Sequence, residues 1–556
     1  MRFLEQFRVF ATRSTLVTGI AVMFVCGPSL SAFGQPPQTT PPATQQAPTP
    51  SMPKVAPPAP VSPVENGTPL SIEDAVKMSL ENNLGIKAQR MSPEMAEYAL
   101  EQVQANYAPA LLSTFSRSNS AAPPTDFLSA TGTNGLSVVT TGNLLTQAGV
   151  QQALKFGGAS YQVLWNGSRG TTDAPHAVFS PQLGSGITAI FNQPLLQNFG
   201  IDATREQLTQ ARNNASIADL QLRQQITATS YAVRSAYYSL VGAIQGYLVA
   251  QESLDIAKRS LSDNQRRLAV GTIPQIDIVS SESEVANNEE AVIIQQGQID
   301  SAEDTLRTLV MNPAQPGFWT TTFKPTDPEQ LTPTAIDVDA AVKNALENRT
   351  DVLIFKKQMD NTNVAMRLAS NQKLPQANLQ ARYGVTGIGG TQFSYDPTGL
   401  SSTPIGQTVR SFSDVLRDVL GNDFRTWSVA VNFSYPLGTS PADAQYAEAK
   451  IQLEQQKTSL EGLKTQVAVS VREAARQVNT NLKRVAVDRK ARELAQQKLD
   501  AEQKRFDVGL SSTLELFQAQ RDLDAALRTE VSATIDYSRS LAAFQAIQMA
   551  PLNGGQ

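Results

Sequence analysis

The chain has 556 residues but only one cysteine, Cys26, and one histidine, His176. A disulfide framework, a cysteine cluster and a histidine-rich zinc site are therefore excluded. Ser-His-Asp or Cys-His catalysis would have to run through His176, which lies in a Gly/Ser/Thr-rich stretch. Charge is also scarce. Only 17% of residues are charged, the net charge is −4, and no basic run is sustained, so nucleic acid is a poor partner. No catalytic, cofactor-binding or metal-ligating set is expected. After residue 34 no run of about twenty apolar residues occurs, so no further transmembrane helix is expected. What remains is a structural, binding or transport protein, or an enzyme limited to carboxylates.

Residues 1–34 have the form of a secretory signal. Arg2, Arg8 and Arg13 supply a basic start, Leu16 to Val25 a short apolar core, and Ala32-Phe33-Gly34 a small-x-small cleavage site before Gln35. About ten apolar residues are too few to span a bilayer. Cys26 leaves lipidation open, although Val25 stands where a lipobox has a small residue. Residues 35–69, rich in Pro, Thr, Gln and Ala, form an expected disordered linker that cannot bury enough apolar surface to fold. An exported chain of this kind is periplasmic, secreted or an outer-membrane β-barrel.

The remainder repeats itself. Ile72-Glu73-Asp74-Ala75-Val76-Lys77 and Leu80-Glu81-Asn82 match Val338-Asp339-Ala340-Ala341-Val342-Lys343 and Leu346-Glu347-Asn348 without a gap. Phe191-Asn192-Gln193-Pro194-Leu195 then matches Phe433-Ser434-Tyr435-Pro436-Leu437, and Arg267-Leu268-Ala269-Val270-Gly271 matches Arg505-Phe506-Asp507-Val508-Gly509. Three matches in one order predict two copies of helix, strands, Pro-Leu turn, very long helix, Val-Gly turn, helix. The boundaries are repeat 1 at 70–311, a Pro/Thr-rich joining segment at 312–336, repeat 2 at 337–548 and a tail at 549–556.

Residues 427–435 alternate cleanly. Trp427, Val429, Val431, Phe433 and Tyr435 share one face, opposite Ser428, Ala430, Asn432 and Ser434. Ala377, Leu379, Ala381, Tyr383 and Val385 likewise oppose Asn378, Gln380, Arg382 and Gly384. An ordinary half-buried sheet alternates in this way. A membrane barrel fits better, because the polar face is small and carries no acid, and Trp427 and Tyr435 flank the apolar band as a girdle would. Strands of about nine residues are the expected crossing length. The first half has matching strands at 109–118 and 184–193, with a further hairpin near 147–155 and 159–167. Two or four strands per half both return the chain to the side it came from. Residues 411–421 read as a short helix in an external loop.

From about 203 to 269 no proline occurs, and Ile226, Val233, Leu240, Tyr247, Leu254, Leu261 and Leu268 recur at heptad spacing. Three residues after the first six come Thr229, Ala236, Ala243, Ala250, Ala257 and Asn264, a coiled-coil seam that lets helices approach closely. From about 442 to 507, Val471, Val478, Val485, Leu499 and Phe506 follow the same rule. A second row, Leu453, Leu460, Val467 and Ala474, steps to Val478 through a stutter. A helix of this length, roughly 100 Å, must pack on partner helices at 275–311 and 513–547 and on other subunits.

Together, the repeated Ala-Val-Lys and Leu-Glu-Asn helices, the strand end Gln193-Pro194-Leu195-Leu196-Gln197-Asn198-Phe199-Gly200, and the turns Arg267…Val270-Gly271-Thr272 and Arg505…Val508-Gly509-Leu510 resemble the TolC family of outer membrane efflux and secretion ducts. The resemblance spans about 70–548. It implies an α+β membrane protein: a homotrimeric transmembrane β-barrel continued by a long periplasmic α-helical coiled-coil barrel, each protomer two tandem repeats. It implies a passive, non-enzymatic duct in the outer membrane with a large periplasmic portion. A periplasmic adaptor (membrane fusion) protein and an inner membrane transporter dock on it, and outer membrane lipid surrounds it. It also implies a closed tip at Val270, Gly271, Val508 and Gly509, constricted near Asp277 and Glu515, each six residues past its glycine. Gln518 stands where a second acid is sometimes found. Equally, Asp277 and Glu515 are placed as helix-start acids favoured by the macrodipole. Phe318 and Trp319 would anchor the 312–336 segment in an equatorial collar.

Two alternatives compete with the duct. A periplasmic coiled-coil structural or adaptor protein without a pore leaves the Trp427–Tyr435 alternation unexplained. A carboxylate-only hydrolase needs paired acids in a pocket, whereas the acids here are scattered along helix faces.

Overall fold

The computed structural model describes residues 67–123, 138–175, 177–327, 336–397, 403–438 and 440–552. The expected signal at 1–34, most of the 35–69 linker, Cys26 and His176 lie outside them. In chain order the elements are β1 (Thr68–Leu70), α1 (Ile72–Asn82), α2 (Leu84–Gln104), β2 (Ala110–Ala122), β3 (Val139–Ala153), β4 (Ser160–Thr172), β5 (Phe179–Pro194), α3 (Ala203–Ala269), α4 (Gln275–Val310), β6 (Phe323–Pro325), α5 (Val338–Asn348), α6 (Thr350–Gln372), β7 (Gln376–Ser394), β8 (Gly406–Arg410), α7 (Phe412–Gly421), β9 (Phe424–Ser434), α8 (Pro441–Asp507) and α9 (Thr513–Ile547).

The long helices α3 and α8 each have 67 residues, about 100 Å at 1.5 Å per residue. Both start on strong caps. The Asp202 side chain accepts from the Arg205 N–H, and Ser440 and Asp443 form a capping box with Pro441 at the first helical position. Both end in the same turn. Gly271 and Gly509 adopt φ +77° and +76°, a left-handed conformation that glycine takes without steric cost. Thr272 N donates to Arg267 O and Gly271 N to Leu268 O, and Leu510 and Gly509 repeat the pattern onto Arg505 and Phe506. That is the paired bonding of a Schellman cap.

The seam of α3 is buried as its spacing predicts: Val233, Leu240, Tyr247 and Leu254 on one row, and Thr229, Ala236, Ala250, Ala257 and Asn264 on the other. α3 packs against α2, α4, α6 and α9, and α8 against α5, α6 and α9. On α8 the buried row runs Leu453, Leu460, Val467, Val471, Ala475, Val478. Ala475 rather than Ala474 is the fully buried alanine, so the four-residue steps fall between Val467 and Ala475, earlier than the heptad count suggests.

Near the middle of α3 the chain is belted. β1 and β6 pair in parallel, and buried Tyr237 joins both. Its hydroxyl donates to Leu70 O (3.1 Å) and accepts from the N–H groups of Thr326 and Asp327 (3.2 Å each). Arg307 donates to Thr321 O, and the Glu303 carboxylate accepts from Phe323 N. Phe318 is buried here, but Trp319 is 69% exposed. Trp319 meets the Phe318 ring edge-on and does not act as a packing anchor, because only one of two consecutive side chains turns inward. Around the middle of α8, Arg349 donates to Ser470 Oγ and Ile547 O. The tail begins packed: Thr350 N donates to Met549 O and Ala550 is buried.

The other strands form one antiparallel sheet in the order β2-β3-β4-β5-β7, and β7 then pairs with β9 along Gln376–Thr386 and with β8 along Gly390–Ser394. The 139–172 hairpin is thus an integral pair of strands. Apart from the five-residue β8, these strands of 11 to 19 residues exceed the expected nine, because pairing continues past the apolar stretch. Helix α7 sits where residues 411–421 predict one. It lies against the sheet rather than out in a loop, with Val415 beside Gly387 and Gly389.

Candidate functional site: the sheet faces and the helix tip

Register aligns the apolar residues of neighbouring strands. Phe433, Val431, Val429 and Trp427 on β9 lie opposite Ala377, Leu379, Ala381 and Tyr383 on β7. The row continues through Ala189 and Phe191 on β5, Val163 and Tyr161 on β4, Val150 on β3 and Leu111 on β2. In a sheet such aligned residues share one face. Trp427 is 73% and Val431 58% exposed, and Val429, Phe433 and Tyr435 are exposed as well. Tyr435 follows the last residue of β9. The other face carries Asn432, Gln380, Asn192 and Asn378, and Gln380 donates to Asn192 Oδ1 across strands (3.0 Å). A contiguous exposed apolar face on one side and an amide-rich face on the other cannot both be at rest in water.

At the far end of the long helices the two turns lie side by side. Val270 and Val508 are exposed at their apexes. The Arg267 guanidinium donates to Asp507 Oδ1 (3.0 Å) and Phe506 O (3.2 Å) and stacks 4.4 Å from the Phe506 ring centroid. Asp277, in the first turn of α4, accepts from Thr513 Oγ1 at 3.3 Å. Glu515 is the third residue of α9 and closes a capping box with Ser512. Its carboxylate accepts from Ser512 N (3.1 Å) and Ser511 Oγ (3.0 Å). These bonds, the Ser512 N–H foremost, hold its carboxyl below the ordinary glutamate value. Gln518 donates to Asp522. Deeper in, buried Asn264 donates to Ser281 Oγ (2.9 Å), and Ser281 to Asp277 O.

The family model for outer membrane efflux proteins matches residues 165–310 and 341–547, more than half of the chain. The chain belongs to the outer membrane efflux protein family. The outer membrane protein TolC of Escherichia coli (strain K12) is 21% identical over 378 residues, 64% of this chain and 72% of that protein. Among solved structures, the Campylobacter jejuni CmeC outer membrane channel superposes with a TM-score of 0.57 at 13% identity, covering 86% of this chain and 85% of that one. The Vibrio cholerae outer membrane protein VceC gives a TM-score of 0.56 at 16% identity, covering 86% and 96%. The α+β fold is that of these channels.

This efflux protein is thus a passive outer membrane channel with a large periplasmic portion, and not an enzyme. The long helices and exposed apolar strands are what such a protein needs. Among the expected tip residues, Asp277 and Glu515 are brought near each other through Thr513 and the α9 cap, while Gln518 turns to its own helix. Sequence reasoning missed Asp507 as the partner of Arg267. The signal was present in the repeated Arg267 and Arg505 turn motif, but Arg505 pairs locally with Glu502 (2.9 Å), so the two copies behave differently. It also missed the pairing of Ser511 Oγ with Glu502, which ties the second turn to α8.

Proposed function

We propose that three copies of this chain form the exit duct of a tripartite efflux or type I secretion system, fed by an inner membrane transporter through a periplasmic adaptor. The two halves are tandem repeats of one unit, each of which crosses the membrane an even number of times. The observation that carries the trimer is the sheet itself. Among the described residues β2 pairs only with β3, and β9 only with β7, so both edges keep unpaired backbone groups. In a bilayer each such group costs several kcal/mol, and only a closed barrel satisfies them. β2 and β9 run in opposite directions, so β9 of one copy pairs antiparallel with β2 of the next. With β8 and β9 taking successive stretches of one edge of β7, each copy is six strands wide, and three copies give a barrel of eighteen, a size that leaves a water-filled lumen. Trp427, Val429, Val431, Phe433 and Tyr435 then face lipid and Asn432 faces water.

On this reading α3, α4, α8 and α9 continue the duct through the periplasm. The Val270-Gly271 and Val508-Gly509 turns close its tip, with Asp277 and Glu515 as acids of the constriction. Residues 1–34 direct export, and the segment after Val310 belts the helices. A pore-free coiled-coil protein has no use for the exposed apolar face. The test is reconstitution. Purified protein is expected as a trimer that conducts ions across a planar bilayer, whereas recovery as a soluble periplasmic monomer would overturn the reading.

A further inference from the structure

Helix α7 is built onto the apolar face of the sheet, at the point where β7 changes its edge partner from β9 to β8. Two glycines make its seat. A Cβ on Gly387 would lie 2.4 Å from Val415 O, and one on Gly389 2.5 Å from Val415 Cγ2, so any side chain there would lift the helix. Gly387 and Gly389 follow Tyr383 and Val385 on the apolar face of β7. The helix is clamped at both ends. The Tyr383 hydroxyl donates to Asn422 Oδ1 (2.5 Å), with Asn422 in the left-handed C-cap conformation. Arg410 Nη2 donates to both carboxylate oxygens of Asp418 (2.9 and 2.8 Å). Ser411 and Asp414 close a capping box.

The seated face is Val415, Asp418 and Val419, all buried. A second stripe, Phe412, Leu416 and Leu420, recurs at four-residue spacing, turned about a quarter turn around the axis. It lies beside the seat and opens outward, with Leu420 82% exposed, Phe412 37% exposed and Leu416 half-buried. On the remaining side stand Ser413, Asp414 and exposed Arg417. The helix therefore has three sides, one packed, one apolar and open, one polar.

We propose that α7 is a membrane-interface helix, lying on the outer surface of the barrel in the headgroup region of the outer leaflet. The placement rests on the apolar sheet face being the lipid face. Given that, continuity decides the occupant. α7 seats over Gly387 and Gly389, on the same face as Tyr383 and Val385, and its C-cap Asn422 reaches Tyr383, while Arg425 faces Val385 on the neighbouring strand. An apolar stripe continuous with the lipid-facing band, beside exposed Arg417 and Arg425, is the arrangement that seats a helix at an acyl-headgroup boundary. Phe412, Leu416 and Leu420 face acyl chains, while Arg417 and Ser413 face headgroups and water.

The test uses full-length protein in phosphatidylethanolamine/phosphatidylglycerol vesicles, with single nitroxide labels on Leu420→Cys, Val431→Cys and Asn432→Cys in a Cys26→Ser background. Collision with oxygen, which concentrates in lipid, is compared with collision with a water-soluble nickel chelate. The expected result is lipid contact at Val431 and a shallower lipid contact at Leu420, with water contact at Asn432. Water contact at Leu420 beside lipid contact at Val431 overturns the helix placement and leaves the lipid face standing. A Leu420 label shielded from both reagents means that a neighbouring copy covers α7, which overturns it as well. Lipid at Asn432 with water at Val431 exchanges the two faces, places α7 in the lumen and overturns both readings.

Discussion

Arg267 joins the two turns of the tip by three different means: a charge pair with Asp507, a bond to a carbonyl, and a stack on Phe506. Asp507 is about half exposed, so the pair alone contributes no more than about 0.2–1 kcal/mol. Its role is geometric. Arg267→Ala should leave the melting temperature nearly unchanged yet raise the open probability of single channels, and Asp507→Asn should reproduce part of the effect. Closing behaviour indistinguishable from the parent would show that the link does not hold the tip. Glu515 closes the capping box of α9. Its lowered carboxyl contributes stability that is present above its unfolded value and lost as pH falls through the folded one. Glu515→Gln should therefore flatten the loss of stability in the window below the ordinary glutamate value of 4.5. If a ring of three such carboxylates also lines the neck, Glu515→Gln should reduce cation preference at neutral pH. Unchanged selectivity would leave it a helix-start acid.

At the scale of elements, the strands and helices separate by what their faces need. Val431→Arg should impair membrane insertion by about 2–4 kcal/mol if the residue lies near the midplane. Asn432→Arg, one residue on, should be tolerated, and equal damage from the two would mean the faces are misassigned. The belt can be loosened from one atom. Tyr237→Phe removes a donor and acceptor that serve Leu70 O and the N–H groups of Thr326 and Asp327. The expected loss is about 1–3 kcal/mol for groups left unsatisfied, read as faster proteolysis near residues 312–327 while the helices stay resistant. Much of this was legible beforehand. Heptad spacing on α3 located most of its buried rows, and period-two alternation identified which residues of β7 and β9 share a face. Less legible was anything set by a contact between distant segments. Trp319 looked like an anchor because aromatics usually are, yet its neighbour Phe318 took the inward position. The role of Gly387 and Gly389 as a helix seat becomes visible only with α7 in place. Asp507 carries no sequence sign of its partner, because Arg267 lies 240 residues away.

For the whole molecule, the decisive property is an unfinished sheet. If β9 of one copy meets β2 of the next, cysteine pairs placed between Leu112–Ser116 and Val429–Phe433 should cross-link only between chains. The products should stop at a covalent trimer. Cross-links within a single chain would mean the sheet closes on itself, and six strands would then leave no lumen. Neither edge is recognisable from sequence, since β2 and β9 differ from the inner strands only in lacking a second neighbour.

Both long helices have 67 residues, and this equality restricts how the molecule can change in length. An insertion in α3 alone would move its turn past that of α8 and separate Arg267 from Asp507. One residue added to both would turn each seam by about 100° away from its partners. Growth is therefore permitted only in matched increments that restore the seam, one heptad in each helix at a time, advancing the tip by about 10 Å per step. The paired helices act as a gauge with coarse graduations, able to fit compartments of different depth only in whole steps.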